Sequence, residues 1–432
     1  MSSMGQQTSA GVGAPPVRTG GMAGEYRRAL TVHAPPCGEG MKDHRRLPTI
    51  GRRDIIKFCH LDGNTAAPPL GASLSGRRPF SIPGMTAGTG VGVAPLRVGG
   101  LELRSPVLVA PMAGITDAPF RRIAAEMGAG LVCTEMVAAE AVARSAEASL
   151  KLLDFPAGMS IPVGAQFVGS DPATMAEAAR IAVDRGATTV DVNLGCPVRK
   201  VVGIGNGAAL ARDPAATARV LGAMTAAVDV PVTAKMRLGW DHSSINAPEL
   251  ARALEDVGVA MVTVHGRTRC QGYAGNADWD EIARVKEAVD IPVIGSGDAM
   301  DVGRIAAEIE RGRVDGVVIA RGMLGNFWLV RQAAHRLATG ELLAEQPFAE
   351  RVALTRRHLD DLLDYYGDRR ALKIGRKYVA WTIRGCAGAS RLRAAVQDLD
   401  SRERLEELFG AALAAGESAT GFFRPVFTSG EG

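Results

Sequence analysis

From about residue 98 the chain alternates short apolar β-forming runs with amphipathic stretches, and it does so eight times. The runs read VLVAP (107–111), LVCTE (131–135), VGAQFVG (163–169), TVDVNL (189–194), PVTAKMR (231–237), MVTVHG (261–266), PVIGSG (292–297) and GVVIARG (316–322). Near-continuous Val/Ile strands are the pattern of a parallel sheet covered on both faces. The segments between them are helical, and DPATMAEAARIAVDRG opens with Asp-Pro and closes with Gly, as helix caps do. Eight such units within residues 91–340 predict a (β/α)8 TIM barrel rather than an open doubly wound sheet.

After about 345 the β pattern stops, and FAERVALTRRHLDDLLDYYG, RALKIGRKYVAWTIRG and DSRERLEELFGAALAAG predict a separate C-terminal helical domain over 341–420, followed by a tail, 421–432. Residues 1–90 differ from both. They are rich in Gly, Pro, Ser, Ala and Thr with scattered basic pairs and no periodicity, so they are expected to form a disordered N-terminal extension. Met85 would make a sensible natural start, and a chain beginning there is expected to fold and act like the full one.

Composition narrows the class. Hydrophobic residues make up 47% and charged residues 22% of 432, as in an ordinary globular protein, and no apolar run has the length of a membrane span. The six cysteines include no C-x-x-C pair, which argues against a zinc site and fits a reducing cytoplasm. A net charge of +4 does not by itself indicate nucleic acid, but its distribution does. Residues 369–393 hold eight Lys or Arg and no acid, with Arg369, Lys373 and Arg376/Lys377 on one helical face beside Tyr378 and Trp381. That face is expected to bind a polyanion.

Catalysis in a (β/α)8 barrel sits at the C-terminal strand ends. Those ends carry Pro111-Met112-Ala113, Glu135, Gln166, Asn193 with Cys196, Lys235 with Arg237, His265 with Arg267, Ser296-Gly297-Asp298, and Arg321-Gly322. One polar strand end is ordinary; polar groups at nearly all of them are not. GSGD and ARG, after the seventh and eighth strands, place small residues and an arginine where such barrels bind phosphate. A single phosphate site without G-x-G-x-x-G suggests FMN rather than a dinucleotide. Lys235 and His265 then suit the electron-rich edge of the flavin, where a cation stabilises the reduced ring.

Taken together, APMAGITDAPFRRIAAEMGAGL, VDVNLGCPVRK, AKMRLGW, VTVHGRTRCQGYAGNADWD, VIGSGD and GRKYVAW resemble the tRNA-dihydrouridine synthases, closest to the bacterial B-type branch, from about 97 to about 410. The resemblance implies reduction of the 5,6-double bond of uridines in tRNA by FMN, with NADPH as reductant and no metal, in a cytoplasmic monomer. It implies flavin contacts at Pro111, Met112, Ala113, Gln166, Lys235, His265, Gly297, Asp298, Arg321 and Gly322, with Cys196 as the general acid. Ser296 stands where the family usually has Asn, and VVGIGNGAAL follows Arg199-Lys200 where relatives carry further basic residues. Substrate contacts are expected from Asn193, Arg199, Lys200, Arg267, Arg376 and Lys377.

The chemistry accounts for a thiol on the tight Gly-Cys-Pro turn. Hydride addition at C6 of uracil leaves an enolate-like anion that must be protonated at C5, and a thiol with a pKa of about 8.5 is mostly protonated yet able to give up that proton. An FMN barrel acting on a free pyrimidine is one alternative, and the basic helical face speaks against it. A flavin-free RNA-binding protein is another, and Cys196, Lys235 and His265 speak against that.

Overall fold

The computed structural model of the protein describes residues 95–416, apart from Ala157. The extension 1–90, Met85 and the tail 421–432 lie outside the described residues. Eight parallel strands form the predicted barrel: β1 (Val107–Val109), β2 (Val132–Cys133), β3 (Val163–Val168), β4 (Thr189–Leu194), β5 (Val232–Arg237), β6 (Met261–His265), β7 (Val293–Ser296) and β8 (Gly316–Ile319). Their order is β2-β1-β8-β7-β6-β5-β4-β3, and β2 pairs with β3 to close the ring. Strand β2 ends at Cys133, short of the LVCTE run. Its next residues serve other bonds: the Thr134 hydroxyl accepts from the Gln166 amide at 3.1 Å, and the Glu135 carboxylate accepts from the Gly114 amide.

Around the strands lie α1 (Ala118–Glu126), α2 (Pro172–Asp184), α3 (Pro214–Thr225), α4 (Ala247–Glu255), α5 (Trp279–Lys286), α6 (Val302–Glu310) and α7 (Trp328–Thr339). The Asp-Pro starts act as read from sequence. Asp171 and Asp213 each accept a backbone N–H three residues on, at 2.9 Å, and satisfy a donor the first turn leaves open. An antiparallel hairpin, Leu96–Val98 with Leu101–Leu103, clusters with Leu108, Met261, Ile294 and Val318 from the strands.

Strand parity fixes which side chains reach the barrel axis. Val190, Val192 and Leu194 of β4 join the large apolar core between strands and helices, so Asp191 and Asn193 point the other way. Register then sets Asp191 opposite Gln166 and Thr233, Asn193 opposite Lys235, and Arg237 opposite His265. The polar side chains thus converge on one end of the ring.

The helical region consists of α8 (Phe348–Tyr366), α9 (Asp368–Thr382), a short helix over 389–395 and α10 (Arg402–Ala415). It docks on α1 and the loop before it. Phe120, Phe327, Tyr378 and the fully buried His358 stack together, with His358 4.4 Å from Tyr378 and 5.5 Å from Phe327 between ring centres. Arg357 pairs with Glu126, and the Tyr365 hydroxyl donates to Asp154 at 2.5 Å. Among the described residues no helix is long and apolar enough to cross a membrane.

Neither ring nitrogen of His358 has a hydrogen-bond partner among the described residues, and burial pushes its pKa down to about 3. The folded protein therefore binds this proton more weakly than the unfolded chain. The folded state should lose about 1.4 kcal/mol per pH unit from this group as pH falls from about 6.5 toward 3. His358→Leu should be at least as stable as the wild type at pH 7.5, because two unsatisfied polar atoms leave an apolar site. Melting temperatures across this range should show a shallower acid loss in the variant. Parallel profiles would contradict the assignment.

Candidate active site

The strand-end residues meet in one mouth. At its base the carboxylate of Asp191, buried on β4, accepts from Gln166 Nε2 at 2.7 Å and Thr233 Oγ1 at 2.6 Å. Burial pushes this carboxyl up, while the two hydrogen bonds and Lys235 pull it back. Gln166 Oε1 in turn accepts from Asn193 Nδ2 at 2.9 Å. Asn193 Oδ1 then accepts from the backbone amides of Gly195 at 3.1 Å and Cys196 at 2.8 Å. A carboxylate only accepts and a backbone N–H only donates, so each amide side chain in this chain has one orientation that satisfies both neighbours.

Asn193 thus holds the turn that carries the half-buried Cys196. Two further contacts fix the turn. Arg237 Nε donates to the Gly195 carbonyl at 2.8 Å, and its Nη1 reaches the carbonyls of Thr268 and Gly272 at 3.0 and 2.8 Å, which ties the turn to the loop after β6. On the other side Gly207, at φ +59°, lets the chain pass over Cys196. A Cβ there would meet the Cys196 carbonyl oxygen at 3.0 Å and its Cβ at 3.2 Å.

Positive charge gathers beside the thiol. Lys235, Arg237, Arg267 and Arg321 all bear on His265, whose pKa burial first and then these cations drive well below the ordinary value. His265 is therefore neutral. Arg267 Nη1 lies 3.4 Å from His265 Nε2, and since a guanidinium only donates, this geometry puts the ring proton on Nδ1. Of the expected pair Lys235 and His265, the cation is Lys235, whose ammonium burial and Arg237 push down to about 8. Among the described residues no hydrogen-bond acceptor is paired with that ammonium, so the site is suited to an anionic or electron-rich ligand.

The turn after β7 shows strain. Gly297 has φ +116° and Asp298 φ +52°, a conformation unusual for a residue with a side chain. Asp298 is held by Arg267 Nη2, at 2.9 and 2.8 Å to its two oxygens, and by the Ala277 amide at 2.7 Å. Arg321 lies 3.9 Å from the same carboxylate. Ser296 is buried and pairs in register with His265, and Gly322 leaves no room for a Cβ against Leu329 and Ala299. Across the mouth the loop of Pro111, Met112 and exposed Ala113 leads into Gly114, whose amide bonds Glu135.

Three expected substrate contacts are placed otherwise than the sequence reading implies. Arg267 is 1% exposed, and its guanidinium is spent on Asp298 and the carbonyls of Ala274 and Gly275, so it anchors the loop rather than facing RNA. Arg376 donates twice to the Leu399 carbonyl, at 3.2 and 3.0 Å, which locks α9 to the segment before α10. Lys377 turns inward and donates to the Gly114 carbonyl. Arg376 and Lys377, in the second half of α9, pack against protein, and the exposed cations of α9 are Arg369, Arg370 and Lys373 in its first half. Arg199 and Lys200 are exposed, three and four residues beyond the thiol.

The chain matches the family model described as Dihydrouridine synthase (Dus) over residues 108–416. The chain belongs to the dihydrouridine synthase family. It is 40% identical over 322 residues to a protein of Rickettsia conorii named probable tRNA-dihydrouridine synthase, covering 74% of this chain and 97% of that one. It is 39% identical over 311 residues to tRNA-dihydrouridine synthase B of Pseudomonas aeruginosa, covering 71% of this chain and 93% of the relative. The match spans both the barrel and the helical region of this dihydrouridine synthase family member.

Sequence reading missed Asp191, Thr233 and Tyr273. Asp191 was within reach, since it lies two residues before Asn193 and parity puts both on one strand face. Tyr273 carries no such signal. It stands 61% exposed at the mouth, with the guanidiniums of Arg321 and Arg237 4.6 and 5.7 Å from its ring.

Asp191→Leu should loosen the thiol turn by leaving Gln166 without its acceptor. Hydrogen exchange at the Gly195 and Cys196 amides should speed by about tenfold relative to Val190 and Val192 in the same strand, the worth of about one hydrogen bond. Unchanged exchange would show that the turn holds without Asp191.

Proposed function

We propose that this protein reduces uridines in tRNA to dihydrouridine, with FMN as cofactor and NADPH as reductant. The observation that carries the reading is the placement of Cys196. Asn193 holds its turn at the end of β4, beside a mouth lined by Lys235, His265 and Arg321. The Lys235 ammonium, with no hydrogen-bonded partner among the described residues, and the strained Gly297-Asp298 turn fit a flavin. Pro111, Met112, Ala113, Gln166, Lys235, His265, Ser296, Gly297, Asp298, Arg321 and Gly322 would hold it. Bound FMN would supply hydride to C6 of the base and be restored by NADPH.

The rest is the work of the chain. Cys196 delivers its proton to C5, and the hydrogen of Asn193 Nδ2 not given to Gln166 is available to a carbonyl of the base. A uridine must leave the RNA stack to reach this depth. Arg199 and Lys200 beside the thiol, and Arg369, Arg370 and Lys373 on α9, are the exposed cations that would hold the flanking phosphates.

Purified protein should carry the absorption band of a flavin. With NADPH and an unmodified tRNA transcript it should produce dihydrouridine, seen as a gain of two hydrogens on single nucleotides. Binding of the transcript should weaken steeply with salt. A flavin-loaded protein that consumes free uracil or uridine and leaves tRNA unchanged would overturn the reading.

A further inference from the structure

We infer that the helical domain is part of the scaffold of the flavin site, with Lys377 as the positioning residue for the loop Pro111–Asp117. The inference rests on the flavin reading above, since Pro111, Met112 and Ala113 belong to that loop.

Three successive carbonyls of the loop each take a side-chain donor. Gly114 accepts from Lys377 Nζ, Ile115 from the Tyr378 hydroxyl at 3.1 Å, and Thr116 from Arg121 Nη1 at 2.7 Å. Two of these donors are consecutive residues of α9, 263 positions further along the chain from the groups they hold. The Gly114 peptide is gripped from both sides, because its N–H donates to the Glu135 carboxylate while its carbonyl accepts from the Lys377 ammonium. Gly114 has φ +72°, and a Cβ would meet nothing within 4 Å, so the backbone conformation and not crowding calls for glycine.

The electrostatics favour an inward lysine. Burial lowers the pKa of Lys377, and Asp117 and Glu135 raise it again. Burial raises the carboxyls of Glu135 and Asp117, the latter to about 6, and the Lys377 ammonium pulls both back, at Glu135 together with Arg121 and Arg370. For Lys377 to reach an RNA phosphate it would have to leave the Gly114 carbonyl and withdraw a cation from two partly desolvated carboxylates, which is costly. Tyr378 cannot follow, because its ring is wedged between His358, at 4.4 Å, and Trp381, at 5.5 Å.

A loop held in this way links two equilibria. Whatever loosens α9 must weaken flavin binding, and flavin must stabilise the docking of α9 to the same extent. A surface lysine that contacts phosphate has no such link.

The test uses the full chain stripped of flavin and titrated with FMN well below its melting temperature. Lys377→Met keeps the aliphatic stem and deletes the donor, and should weaken FMN binding about tenfold or more. Tyr378→Phe deletes one neutral bond and should weaken it about two- to fivefold. Hydrogen exchange across residues 111–116 should speed in both variants. With FMN saturating, tRNA affinity and its salt dependence should equal those of the wild type. Should Lys377→Met fail to fold, Tyr378→Phe still decides through FMN affinity and loop exchange. Unchanged FMN affinity and loop exchange in the folded variants would overturn the inference, as would a loss of tRNA affinity with a shallower salt slope. Wild-type protein that binds no FMN would overturn the flavin reading and this inference with it.

Discussion

The hydrogen-bond chain from Asp191 through Gln166 and Asn193 to the amides of Gly195 and Cys196 is the constraint on which the site depends. One end can only accept and the other can only donate. The two amide side chains between them have no second orientation that satisfies every partner. The thiol turn is thereby fixed to the barrel floor by bonds whose direction is set chemically. Thr233, on the neighbouring strand, completes the coordination of the carboxylate, so the pairing of β4 with β5 is itself a condition for the geometry.

Charge is distributed with the same economy. Four cations bear on a neutral histidine, yet two are committed to structure: Arg237 to the thiol turn and Arg267 to Asp298. Lys235 has no hydrogen-bonded partner among the described residues. A depressed ammonium facing a polar mouth gains from any anion placed beside it, and this is what a reduced flavin ring would offer.

Much of this was legible in the sequence, and the failures have physical causes. Eight apolar runs separated by capped helices could form little else than a closed parallel barrel, and strand-end positions named the mouth. Within the basic run 369–393 charge alone does not say which turns of a helix are covered by the rest of the protein. Tyr378 and Trp381 at neighbouring positions are buried, so α9 directs Lys377 inward with them and leaves Arg369, Arg370 and Lys373 outside. Arg267 was misread for a related reason. Its partner Asp298 is 31 residues away, and no local pattern encodes that pairing.

The helical region thus serves two ends, gripping the loop before α1 through the later turns of α9 and carrying exposed cations on its first turns. The thiol of Cys196 is the proposed proton donor. The most direct test is stopped-flow measurement of the two half-reactions in Cys196→Ala. Reduction of bound flavin by NADPH should proceed at close to the wild-type rate, while reoxidation by tRNA should slow by about 10²–10⁴-fold, the usual contribution of a positioned general acid. Reoxidation by tRNA at the wild-type rate would contradict the account.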